Sequence, residues 1–148
     1  MILVDANLLI YAINADSPDH AAARHWWEST LSRGEEVGLA WVVILAFLRI
    51  TTRAGILGNP LSADRALAYI DEWLDLPNVS LVQGGTGHWQ IFRRLQLDVG
   101  TAGNLTSDTH LAALAIELGA AIYSADYDYQ RYPALQHINP LQPAGGAG

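Results

Sequence analysis

Short apolar runs that alternate with helix-length segments govern what this chain can fold into. Ile2-Leu3-Val4 stops at Asp5, Val37 to Ala40 and Val79 to Val82 follow, and Ala120 to Tyr123 leads into Ser124-Ala125-Asp126. Continuous apolar runs of this length suit strands buried on both faces, as in a parallel sheet. Between them, helical spacing of apolar residues marks Leu8 to Ile13, His20 to Leu31, Trp41 to Thr52, Ala63 to Leu74, His88 to Leu97 and Asp108 to Leu118. Ser62 reads as a helix cap, as does Thr106-Ser107, and Gly119 reads as a helix stop. Asp16-Ser17-Pro18, Pro77-Asn78, the Gly84 to Gly87 stretch and Gly100 to Asn104 supply turns and loops. The alternation predicts an α/β fold around a mostly parallel sheet. A chain of 148 residues holds one such domain, expected over 1–142, with Pro143 to Gly148 as a flexible tail.

Composition removes whole classes of chemistry. There is no Cys, which excludes disulfides, thiolate metal sites and a cysteine nucleophile. All eight basic residues are Arg, so the lysine of phosphate-binding loops, kinases and Schiff-base enzymes is missing too. The start of the chain lacks the basic and apolar regions of a signal peptide. Leu39 to Leu48 is far short of the roughly 20 residues that span a bilayer, so no membrane association and a cytoplasmic location are expected. The net charge of -7 opposes nucleic-acid binding unless several acids act together as ligands of a divalent cation.

Four aspartates share one geometric logic. Asp5 ends the first strand, Asp126 ends the last clear one with Asp128 close behind, and Asp108 lies in the first turn of the helix before that strand. Residues beyond the carboxyl ends of parallel strands converge on one crevice. Carboxylates gathered there repel one another unless a hard cation sits among them, and an all-oxygen set favours Mg²⁺ or Mn²⁺. Each acid also has a purely structural reading. Asp108 suits the helix dipole, and Asp126 and Asp128 are good turn formers. Asp5 is harder to explain that way, because a carboxylate directly after a buried strand is costly to desolvate.

Other features read as structural. His20 and His25 have the wrong spacing to share a metal ion on a helix, and His110 points away from Asp108. Trp26, Trp27, Trp41, Trp73 and Trp89 read as helix-face packing, with Trp26, Trp27 and Trp41 also considered as exposed anchors for a partner. The Gly84 to Gly87 stretch lacks the order of a phosphate-binding loop.

The blocks "ILVDANLLIYA", "LAWVVILAFLRITTR" and "LTSDTHLAALAIELGAAIYSADYDYQRYP", in that order, resemble the PIN domain of VapC-type toxins. The resemblance implies a three-layer α/β/α fold and a metal-dependent endoribonuclease of a toxin–antitoxin pair, neutralised by a VapB-like antitoxin and assembled as a homodimer. It also implies metal-assisted phosphodiester hydrolysis of RNA, with Asp5, Asp108 and Asp126 around Mg²⁺ or Mn²⁺ and Asp128 as an extra acid. Asn7 and Ser124 match polar neighbours of the first and fourth acids. Arg49 matches the family's arginine, as a phosphate contact or as a salt bridge orienting the acids, the latter favoured by the apolar sequence around it. The family's usual second acid, a Glu, is replaced here by Ala46, which leaves the number of metal positions open. A catalytically silent module that binds RNA or an antitoxin is the alternative. An aspartate-nucleophile phosphatase is disfavoured by Asn7 and by the absence of Lys.

Overall fold

The computed structural model describes residues 1–55, 57–100 and 106–141. The elements, in order, are β1 (Ile2–Val4), α1 (Ala6–Ile13), α2 (His20–Ser32), β2 (Val37–Ala40), α3 (Trp41–Thr51), α4 (Ala63–Leu74), β3 (Val79–Val82), α5 (His88–Val99), α6 (Thr106–Leu118), β4 (Ala121–Tyr123) and β5 (His137–Ile138), with a 3-10 turn at Tyr127–Arg131. The strands form one sheet in the order β3-β2-β1-β4-β5, and every pairing is parallel. Helices α1 to α4 pack as one group and α5 with α6 as another, giving the three-layer α/β/α arrangement expected from the sequence.

The central strands are buried because their residues are apolar on both faces. Leu3, Val4, Val37, Leu39 and Ile122 have no exposed surface. Gly38 on β2 leaves room for the Leu3 side chain of β1: a Cβ there would stand 2.7 Å from Leu3 Cδ2. Gly119 ends α6 with φ +65°, the left-handed stop its sequence position implies. An aromatic cluster locks α2, α3 and α4 together: Trp73 meets Trp27 edge-on at 5.5 Å and Phe47 at 5.3 Å. Among the described residues, no helix is long and apolar enough to cross a membrane.

Several sequence expectations need correction. β5, only two residues long, was not foreseen. α5 runs on to Val99, and α6 begins at Thr106, so Thr106 and Ser107 lie inside the helix instead of capping it. Trp27 is buried at 3% exposure and is no exposed anchor, whereas Trp41 and Trp89 are open at 50% and 61% and are not packed helix faces. Arg49 is exposed and forms no salt bridge among the described residues, because α3 turns that side of its last turn to solvent. The expected tail, 143–148, lies outside the described residues.

Candidate active site

The site starts where β1 stops. Asp5 has extended backbone and caps α1, its Oδ1 accepting from the Ala6 amide at 2.8 Å. Its own amide donates to Tyr123 O at 2.9 Å, which sets the end of β1 level with the end of β4. One residue past β4, the fully buried Ser124 donates its hydroxyl to Asp5 Oδ2 at 2.7 Å. The Ser124 hydroxyl oxygen in turn accepts from the Asp126 amide at 3.0 Å and from Asn7 Nδ2 at 3.3 Å. Asn7 Oδ1 in turn accepts from the Ala125 amide at 3.4 Å. Asn7 and Ser124 therefore fasten the turn after β4 to the start of α1, and Asp126 leaves that turn at a fixed position.

Asp126 then caps the 3-10 turn, its Oδ1 accepting from the Asp128 amide at 2.9 Å. Asp128 is partly open and stands 3.5 Å from Arg131 Nε, an exposed pair of small energetic weight. Asp108 enters from the first turn of α6. One carboxylate oxygen from each of Asp108, Asp126 and Asp128 lies within 4.8 Å of the others. Asp5 is set deeper: it and Asp108 line a cavity of 100 Å³ whose wall on α3 includes Val42, Val43 and Ala46. Arg49 contributes no group to this cavity and no ion pair to the acids.

Burial and mutual repulsion decide the charge of these acids. Burial pushes Asp5 above the ordinary carboxylate value, partly offset by the donors Ser124 and Ala6. Asp108 is pushed up to about 6, first by burial and then by the charge of Asp5. Two neighbouring carboxylates held off their normal ionisation are relieved by a cation, and the donor set is oxygen throughout. The residues fit a hard divalent ion.

Sequence reasoning missed Tyr129. Its ring is buried at 1% exposure, and its hydroxyl donates to Asp108 Oδ1 at 3.2 Å. The only signal was its place one residue after Asp128, where an aromatic also reads as plain packing. His110 faces α5, with Nδ1 2.9 Å from His88 Nε2; His88 Nδ1 in turn lies 3.2 Å from Glu117. A wider groove of 420 Å³ between α2 and α4, floored by Trp27, Leu31 and Trp73, contains none of the four acids.

A PIN domain family model matches residues 2–135. The chain is 42% identical over 142 residues to ribonuclease VapC33 of Mycobacterium tuberculosis, covering 96% of this chain and 99% of that protein. It is 40% identical over 140 residues to ribonuclease VapC37 of the same organism, covering 95% and 97%. Among solved structures it is similar to VapBC2 from Rickettsia felis bound to a promoter DNA fragment, with a TM-score of 0.68 at 16% identity over 94% of this chain and 98% of that one. VapBC-1 from nontypeable Haemophilus influenzae aligns with a TM-score of 0.66 at 18% identity, over 96% and 100%. The two structural likenesses speak for the fold.

Proposed function

The chain belongs to the PIN-domain family, among its VapC ribonucleases, and on that premise we propose that it is an Mg²⁺- or Mn²⁺-dependent endoribonuclease toxin whose catalytic acids are Asp5, Asp108, Asp126 and Asp128. The observation that carries this reading is the meeting of Asp108, Asp126 and Asp128 oxygens within 4.8 Å, with Asp5 beside them in the same crevice. Asp5, Asp108 and Asp126 are the metal ligands in this reading, and Asp128, partly open to solvent, holds water at the rim. A divalent cation bound there supplies Lewis acidity toward a scissile phosphate and lowers the pKa of water. The protein's own part is to hold the carboxylates at fixed separations, with Ser124 and Asn7 setting Asp5 against Asp126. Attack by water leaves 5′-phosphate and 3′-hydroxyl ends, since the RNA 2′-hydroxyl takes no part. Arg49, exposed beyond the cavity, is then free to meet a substrate phosphate instead of the acids.

An acidic centre is blocked most simply by a cation, so the reading includes a VapB-like antitoxin that places an Arg or Lys side chain near Asp5 and Asp108. A homodimer is supported by α3, where Trp41 and Leu45 stand one turn apart at 50% and 55% exposure. Leu45→Glu tests it by light scattering: the variant is expected as a monomer, and an unchanged mass removes this face from the interface. The site of action is cytoplasmic RNA. The function itself is tested by incubating the purified protein with RNA in Mg²⁺ and in EDTA. Cleavage in Mg²⁺ and not in EDTA, leaving 5′-phosphates, is expected; equal cleavage in EDTA overturns the metal-dependent reading, and cleavage in neither turns it toward a silent binding module.

A further inference from the structure

The crevice holds a phenol that the four acids do not account for. The Tyr129 hydroxyl reaches it from the 3-10 turn, donates to Asp108 Oδ1 at 3.2 Å and lines the same cavity as Asp5 and Ala46. At 1% exposure the ring has no freedom to swing away, so the hydroxyl is a fixed donor. Burial, followed by the charges of Asp5 and Asp108, pushes its ionisation above the ordinary phenol range. Asp5 also feels it, since the phenol favours that residue's charged form.

We propose that Tyr129 is a positioning residue of the metal centre, holding Asp108 at a fixed distance from Asp5 across a cavity whose α3 wall, at Ala46, offers no ligand. This rests on the metal-centre reading above. With Oδ1 of Asp108 engaged by the phenol, the other oxygen of that carboxylate remains available to ligate. Without the hydroxyl, two neighbouring carboxylates separate by rotation, and the oxygens no longer meet at one point. Partners that orient metal ligands typically change affinity or activity by about 10- to 100-fold when removed.

Tyr129→Phe keeps the buried ring and deletes only the donor. Tyr132→Phe is the control, because its ring is buried too, at 2% exposure, but its hydroxyl engages Thr109, at 2.7 Å, instead of an acid. Mn²⁺ binding is read by electron paramagnetic resonance of the free ion, and RNA cleavage is titrated against Mn²⁺, after thermal melts of each variant without metal. Tyr129→Phe is expected to weaken Mn²⁺ binding about tenfold or more and to raise the Mn²⁺ needed for half-maximal cleavage, while Tyr132→Phe binds like the parent. Parent-like Mn²⁺ affinity in Tyr129→Phe, or equal weakening in both variants, overturns the role. If Asp5→Asn in the same assay also binds Mn²⁺ like the parent, the metal-centre reading itself has failed.

Discussion

Ser124 and Asp5, far apart in the chain, are joined by a 2.7 Å hydrogen bond in which the serine hydroxyl donates to Oδ2 of the aspartate. Because that oxygen of Ser124 also accepts from the Asp126 amide and from Asn7, one buried hydroxyl ties the ends of two parallel strands to the start of α1. It is a structural knot and an electrostatic one together, since its donated proton is among the few influences that favour charge on Asp5.

Ser124→Ala removes that donor and leaves a buried carboxylate and a buried amide without it. A loss of about 1–3 kcal/mol in unfolding free energy is expected, the usual cost of orphaning a buried polar group. Denaturant melts of Ser124→Ala, Asp5→Asn and the double variant check whether the loss runs through Asp5. The penalty should shrink when Asp5 is already neutral. Strictly additive losses would show that Ser124 acts only on the backbone.

Asp5→Asn and Asp108→Asn separate chemistry from folding. Each keeps its shape and loses the charge a cation needs, so RNA cleavage and growth inhibition are expected to fall together by roughly a hundredfold or more. The metal-free fold should be no less stable, because one repulsive carboxylate has been removed from a crowded crevice. Retained cleavage at limiting and saturating Mg²⁺ alike would remove these residues from the site.

The parts legible in the sequence were those set by local chemistry. Ile2-Leu3-Val4 ending at Asp5 announced both a buried strand and a carboxylate at its end, and Gly119 announced the turn into β4. The parts that escaped depend on contacts made elsewhere. β5 has only two residues, His137 and Ile138, and its strand character comes from pairing with β4 and not from any apolar period. Arg49 read as partly buried because its neighbours are apolar, yet α3 presents that edge to solvent. Tyr129 carries no sequence signal specific to its role, because a phenol and a plain aromatic are indistinguishable until the hydroxyl is seen to meet Asp108. The tertiary fold decides which acids sit closest, and it groups Asp128 with Asp108 and Asp126 while setting Asp5 deeper.

Acidity should move stability and metal affinity in opposite directions. Asp108, ordinarily near 3.8, is held at about 6 in the fold by burial and by Asp5. Between those values the folded protein keeps a proton that the unfolded chain has released, so its contribution to stability rises as pH falls through about 6. Asp5, also raised, acts in the same sense, whereas His110, lowered by burial and by His88, costs stability as pH falls below its ordinary 6.5. The comparison of the parent with Asp108→Asn isolates the carboxyl. Without metal, the parent should gain on the variant as pH drops through about 6, and Mn²⁺ affinity of the parent should rise as pH climbs through the same range. A difference curve flat with pH would mean that Asp108 ionises normally.

Ala46→Glu asks what the α3 wall of the crevice can add. Ala46 lines the 100 Å³ cavity with Asp5 and Asp108, and a glutamate placed there is long enough to bring another carboxylate to the same cation. Without metal, that charge joins two acids already pushed toward their protonated forms, so the melting temperature should fall. With Mg²⁺ the sign reverses, because a ligand that binds only the folded state stabilises it in proportion to its affinity. The variant should therefore show a larger Mg²⁺-induced rise in melting temperature than the parent, and half-maximal RNA cleavage at lower Mg²⁺. A lower melting temperature with no gain from Mg²⁺ would mean that the new side chain is only an added repulsive charge, and that the centre works with the carboxylates it already has.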